Sequence, residues 1–169
     1  MKVLLTGAAG FVGAATTHRL LERGDQVIGV DNISNYYEPT LKMARIKRLA
    51  NKDGFKFLEM DCTDRESMAK LFEQNSFDAV IHLAAQPGVQ YSLENPFGYL
   101  EANLHGFLTV LEGCRHHPVK HLVYASSSSV YGGNTKMPFA VADSVEHPIS
   151  LYAATKKSNE QDPDFIEKN

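Results

Sequence analysis

Two side chains near the carboxyl end have the types and spacing of an acid–base pair: Tyr152 and Lys156, in Ser150-Leu151-Tyr152-Ala153-Ala154-Thr155-Lys156. Four positions along a helix bring both to one face, about one turn apart. An ammonium beside a phenol favours the phenolate, which prepares the tyrosine to serve as a general base near neutral pH. An exposed helical pair with no chemistry fits the same spacing. Upstream, Ala125-Ser126-Ser127-Ser128-Ser129-Val130-Tyr131-Gly132 gathers hydroxyls where an apolar run ends. Either they bond their own backbone as a serine-rich turn, or one of them donates to a substrate oxygen.

A second group lies at the amino end, in Thr6-Gly7-Ala8-Ala9-Gly10-Phe11-Val12-Gly13. Gly7 permits a tight turn, Gly10 lets backbone approach a pyrophosphate, and Gly13 allows a helix to pack closely on a sheet. A helix that opens there, from Phe11 and Val12, offers free N–H groups and a favourable dipole to phosphates. The spacing is G-x-x-G-x-x-G rather than G-x-G-x-x-G, and three glycines at a turn also arise for structural reasons alone. Asp31, 24 positions after Gly7, stands near the place of an acidic residue that binds adenosine ribose hydroxyls; the plainer reading is a strand-ending turn beside Asn32. A carboxylate there repels a 2′-phosphate, and no arginine follows within a few residues, so NAD is expected over NADP. Asp61-Cys62 and His82-Leu83-Ala84-Ala85-Gln86 are polar or small where strands should end. Asp61 could accept from an adenine amino group or cap a helix, His82 could be a satisfied core histidine, and the small residues leave room for a flat cofactor.

The elements that must position these groups follow from hydrophobic period. Strands are expected at 2–6, 26–31, 56–60, 77–82 and 121–126, and helices at 11–23, 40–50, 64–74 and 96–116. Helices between strands of this length are crossovers, which implies a doubly wound parallel α/β sheet with ligands beyond the strands' carboxyl ends. At 169 residues one domain is expected.

Hydrophobic residues make up 43% and charged residues 22%, the balance of a globular chain. A net charge of −3 leaves no footprint for nucleic acid. The one basic concentration, Lys42, Arg45, Lys47 and Arg48, reads as a solvated helix face. No run approaches the roughly 18 apolar residues of a membrane span, and Val3-Leu4-Leu5-Thr6 is too short for a signal peptide. Cys62 and Cys114 form no C-x-x-C pair, so a reducing cytoplasmic setting is expected. The seven histidines include no H-E-x-x-H, and His116-His117 cannot share a helix face, so no metal is expected.

Taken together, Thr6-Gly7-x-x-Gly10-Phe11-x-Gly13, Asp31 with Asn32, Asp61, His82 to Gln86, Asn103, Ser127 within Ser-Ser-Val-Tyr-Gly, and Tyr152 with Lys156 resemble the extended short-chain dehydrogenase/reductases over residues 1–160. Asp31-Asn32-Ile33-Ser34-Asn35-Tyr36-Tyr37, Tyr91-Ser92-Leu93-Glu94-Asn95-Pro96 and Asn134-Thr135-Lys136-Met137-Pro138-Phe139 resemble, more narrowly, UDP-glucuronate 4-epimerases. The resemblance implies a Rossmann-type domain that binds NAD through Gly7, Gly10, Phe11, Val12, Gly13, Asp31, Asn32, Asp61, Cys62, Leu83, Ala84, Ala85, Gln86, Asn103, Tyr152 and Lys156. It also implies conversion of UDP-glucuronate to UDP-galacturonate through a 4-keto sugar, with Tyr152 as base, Ser127 on the 4-oxygen and Lys156 on tyrosine and ribose. A non-catalytic NAD-binding module, or a dehydrogenase or dehydratase of the same family, is the alternative. Hydroxyls without an acid in the serine stretch favour epimerisation over dehydration.

Two departures stand out. Gln90 occupies the place of an arginine in the resembling epimerases. After Glu160 the likeness stops, so 161–169 reads as a tail outside the family pattern, and Pro163 should end the Tyr152 helix after about three turns. The resembling proteins continue with the last strands, a UDP-sugar domain and, full length, homodimers. The reading expects a shortened, impaired chain in which strand 121–126 becomes a sheet edge and favours association.

Overall fold

The computed structural model describes residues 1–161. Five parallel strands, β1 (Lys2–Thr6), β2 (Gln26–Asp31), β3 (Phe55–Glu59), β4 (Ala79–His82) and β5 (His121–Tyr124), stand in the order β3-β2-β1-β4-β5. The order reverses between β1 and β4, the switch point where a doubly wound sheet opens a crevice at its carboxyl edge. Among the described residues β5 has β4 as its one sheet neighbour.

Alternation along β1 divides the core. Val3 and Leu5 face α1 (Phe11–Glu22) and α2 (Pro39–Ala50), with Val27, Leu20 and Ile46. Leu4 faces the other way, toward α3 (Arg65–Glu73) and the helix after β4, with Ile28, Val30, Val80, Met68, Phe72 and Val110. Residues on β1 that are buried on both faces produce the apolar run Val3-Leu4-Leu5, as a central parallel strand requires. Each such side chain contributes about 1.5–3 kcal/mol of burial.

Several boundaries differ from the expected ones for local reasons. β4 begins at Ala79 rather than Phe77, because Phe77 turns into the core against Phe72 and Asp78 accepts from the Lys2 backbone N–H. α2 begins at Pro39, whose fixed φ suits a first helical position, with Glu38 accepting from Thr40 N–H. α3 is capped by Asp64, whose carboxylate accepts from Ser67 N–H.

The largest difference is the expected helix 96–116. It is divided into α5 (Pro96–Tyr99), a π-helical stretch Leu100–His105 and α6 (Gly106–His116), and a further short helix, α4 (Tyr91–Glu94), precedes it. A single-turn π insertion widens a helix and re-aims one side chain, a device frequent at functional sites. Here it carries Asn103. A short 3-10 turn, Ser128–Tyr131, follows β5, and α7 (Leu151–Gln161) carries Tyr152 and Lys156. Gln161, assigned to the tail from sequence, is in this helix; the remaining tail and the stop expected at Pro163 lie outside the described residues. Among the described residues no helix is long and apolar enough to cross a membrane.

Candidate functional site

The glycine turn after β1 is built by close approach. Gly7 has φ +72°, and a Cβ there would lie 2.7 Å from the Ala84 backbone nitrogen, so the turn and the β4 exit can touch only without a side chain. A Cβ at Gly13 would overlap the Gly7 carbonyl, so α1 rests directly on the turn. Gly10 is the N-cap of α1, with no side-chain cap and no acidic residue in the first turn among the described residues. The orphan N–H groups and positive dipole end of this helix are therefore open to an anion. Phe11 and Val12, beside them, are exposed.

Asp31 closes β2 and is buried. One carboxylate oxygen accepts from Ala9 N–H in the glycine turn and the other from Ile33 N–H at the start of the next loop. Each oxygen keeps a second lone pair for a ribose hydroxyl. Asn32 donates to Asp61, and Asp61 also accepts from the Thr63 N–H and hydroxyl. Burial works against the charged form of Asp61, but these bonds outweigh it and hold its carboxyl below the usual range. Asp64, not Asp61, caps α3, so the capping alternative for Asp61 falls away. Burial pushes the Cys62 thiol up to about 12, helped by Asp61 and Asp31. It is an inert wall residue.

One cavity of about 600 Å³ gathers these groups. Its wall includes Gly7, Gly10, Phe11, Val12, Gly13, Asp31, Asn32, Asp61 and Cys62, and, from the β4 exit, Leu83, Ala84, Ala85 and Gln86. The volume and the shape, from helix N-terminus to strand-end carboxylate, suit a dinucleotide.

Sequence reasoning missed the β2–α2 side of this wall: Ser34, Tyr36, Tyr37, Glu38, Leu41, Lys42 and Arg45. The solvated-face reading of the basic cluster holds for the exposed Lys47 and Arg48 but not for the other two. Lys42 is buried, its ammonium donating to the Ser34 carbonyl and hydroxyl, and Arg45 donates to the Ala9 carbonyl beside the Phe11 ring. The signal was present, because Lys42 shares the buried face with Ile46 and Leu49 at i, i+4 and i+7.

Ser127, just after β5, and Tyr152 and Lys156, on α7, lie outside that wall. Lys156 is 3% exposed and donates to the Ala125 carbonyl, which rules out an exposed helical pair. Burial lowers its pKa to about 8. Tyr152 packs edge-on against Tyr99, ring centroids 6.0 Å apart. The Ser127 hydroxyl accepts from Ser129 N–H and donates to the Ser129 hydroxyl, which is the local bonding of a serine turn.

Asn103 is also outside the wall and buried. Its amide oxygen accepts from Gln86 N–H, and its nitrogen donates to the Gln86 carbonyl and the Thr155 hydroxyl. The side chain links the cavity wall at Gln86 to the helix of Lys156. His82, between them, bonds Thr6 through Nδ1 at 2.8 Å, while Nε2 has no partner among the described residues. It is a core histidine, half satisfied. Gln90, exposed, precedes α4. Among the described residues no cluster of three metal-ligating side chains occurs.

Residues 3–162 match the NAD dependent epimerase/dehydratase family. UDP-glucuronate 4-epimerase 4 of Arabidopsis thaliana is 51% identical over 160 residues, which is 94% of this chain and 36% of that protein. Protein CapI of Staphylococcus aureus is 48% identical, covering 95% of this chain and 48% of that one. Among solved structures, UDP-glucuronic acid 4-epimerase from Bacillus cereus in complex with UDP-glucuronic acid and NAD superposes with a TM-score of 0.90 at 33% identity, over 100% of this chain and 53% of that chain. The chain thus spans about half the length, or less, of the relatives it matches.

Proposed function

We propose that this chain, which belongs to the NAD dependent epimerase/dehydratase family, is the NAD-binding part of a UDP-sugar 4-epimerase that interconverts UDP-glucuronate and UDP-galacturonate. The observation that carries the reading is the uncapped amino end of α1 opening on the same cavity as the Asp31 carboxylate. Phosphates would sit on the helix N–H groups and ribose hydroxyls on Asp31, where a 2′-phosphate would be repelled. The likeness to the Arabidopsis and Bacillus enzymes, by name and title, supports the sugar and the cofactor.

NAD, when bound, supplies a reversible hydride acceptor beside C4 of the sugar. Tyr152 would take the proton from the 4-hydroxyl and later return it to the 4-oxygen, which is what inversion at C4 with no net redox requires of this chain. Ser127 turns its hydroxyl from Ser129 to the 4-oxygen. Lys156, fixed by Ala125, supplies the positive charge that favours a tyrosinate and a donor for the cofactor ribose. In the complete enzyme this reading includes a homodimer in the cytoplasm, with Cys62 and Cys114 as free thiols.

A non-catalytic NAD-binding module is the second reading, favoured by the separation of Ser127, Tyr152 and Lys156 from the cavity wall. One experiment decides. NAD⁺ binding is measured by calorimetry for the chain and for Asp31→Ala, and conversion of UDP-glucuronate is followed by chromatography. Binding that weakens at least about tenfold in the variant supports the NAD-binding reading; conversion, by the chain alone or with the carboxyl-terminal half of a relative supplied in trans, supports the epimerase part, and binding without conversion in either case supports the module. A chain that binds no NAD⁺ refutes both.

A further inference from the structure

The loop between β2 and α2 and the loop after β4 emerge from strands on opposite sides of β1, yet they meet. Tyr36, on the first loop, sets its ring 4.8 Å from that of Tyr91 on α4 and 4.6 Å from Tyr37. Its hydroxyl lies against Gly88: a Cβ at Gly88 would be 2.7 Å from it, and Gly88 has φ +97°, which glycine alone adopts without strain. Tyr36 is itself part of the cavity wall, as is Pro87 on the opposing loop.

The opposing loop is held rigidly from beneath. Asn103 bonds both backbone groups of Gln86, and the wholly buried Tyr99 donates its hydroxyl toward the Pro87 and Gly88 carbonyls. Tyr91 and Tyr99 also pack together, 6.3 Å between centroids. The β2–α2 loop is tied down at its other end, where Lys42 holds Ser34 and Asp31 holds Ile33. The Tyr36 contact therefore joins two segments of one cavity wall that are each anchored elsewhere.

We propose that Tyr36, seated on Gly88 and Tyr91, is a clasp that closes the dinucleotide cavity and sets how fast its occupant exchanges. The inference rests on the dinucleotide reading of that cavity. A contact between two protein loops needs nothing from the ligand, so it resists entry and exit alike. Breaking it from the side of Tyr91, which is outside the wall, raises both rates together and leaves affinity nearly unchanged, whereas removing the Tyr36 ring also takes away part of the wall. A side chain that merely touched the ligand would instead change the exit rate alone, and one that merely supported the fold would lower affinity and melting temperature.

The test is stopped-flow fluorescence of NADH binding, with an NAD⁺ chase for release, on the full chain, Tyr36→Ala, Tyr91→Ala and the double variant, each checked by circular dichroism. The expected result is association faster by about tenfold in either single variant, the scale of a lost aromatic pair with its buried area, with release faster by the same factor in Tyr91→Ala and by at least that factor in Tyr36→Ala. The double variant should be no faster than Tyr36→Ala, since both changes break one joint. Unchanged rates, faster release with unchanged association, or additive effects would overturn the clasp and leave the dinucleotide reading standing. Failure of the unaltered chain to bind NADH would overturn both.

Discussion

His82 makes the acid stability of this fold calculable. It is 2% exposed, its ring tilted against that of Phe107 with centroids 5.4 Å apart, one nitrogen bonded to Thr6 and the other without a partner among the described residues. Protonation would place a charge and an unmatched N–H in the core, on the side of the Lys156 ammonium. Burial first, and Lys156 second, lower its pKa from 6.5 to about 3. The unfolded chain therefore binds a proton between pH 6.5 and 3 that the folded chain refuses, and stability falls as pH falls through that window. Between pH 7 and 4.5 the loss from this one group is about 2–3 kcal/mol. His82→Gln is neutral throughout, so urea unfolding of both proteins at the two pH values isolates it. The carboxyls of Asp25 and Asp78, held low by the N-terminal ammonium and by Lys120 respectively, titrate alike in both and cancel in the difference. The chain with His82 should lose about 2–3 kcal/mol more than the variant. Equal losses, within about 0.5 kcal/mol, would refute the argument, because a histidine that costs nothing to protonate is not buried in this way.

Two further outcomes follow from the same packing. Lys156→Met should abolish the proposed chemistry yet stabilise the fold near neutrality, because burial lowers the lysine from 10.5 to about 8. The folded pKa lies below the unfolded one, so stability rises with pH from about 8 to 10.5 only while the lysine is present. Denaturant unfolding at pH 7 and 9.5 should show that rise, about 2 kcal/mol, and its absence in the variant. Gly113→Ala on α6 would drive a methyl group into the Phe72 ring, which is buried and wedged against Phe77. A loss of about 1–3 kcal/mol is expected, seen in calorimetry as a melting temperature lower by about 2–4 °C per kcal/mol.

The sheet was legible because its strands are short apolar runs between amphipathic helices, and because Gly7, Gly13 and Asp31 each satisfy a local geometric demand. Asp31 shows how local signals can understate a residue: it reads as a ribose contact, whereas its oxygens also tie the glycine turn to the β2–α2 loop. Lys42 was misread because charge was weighed above helical period. The π stretch carries no such signal, since Leu100 to His105 has the period of an ordinary helix. The contacts that single it out, to Gln86 and Thr155, are long-range.

That π stretch bears on how the two halves of the site cooperate. The cavity wall at Gln86 and the helix at Lys156 belong to different crossovers, and a regular helix from Pro96 to His116 would present Asn103 in a different direction. With the π turn, one amide grips the backbone of Gln86 on both sides and holds the hydroxyl of Thr155, the residue before Lys156. Three hydrogen bonds from one buried side chain leave it little freedom, so displacement of either partner strains the other. Gln86 in turn precedes Pro87 and Gly88, the seat of Tyr36. The cavity wall at Gln86 and the helix of the proposed base are thus held in register by one asparagine whose side chain is fully engaged with both. Its carriage on an energetically unfavourable turn is explained if that geometry, rather than helix stability, is what the fold retains.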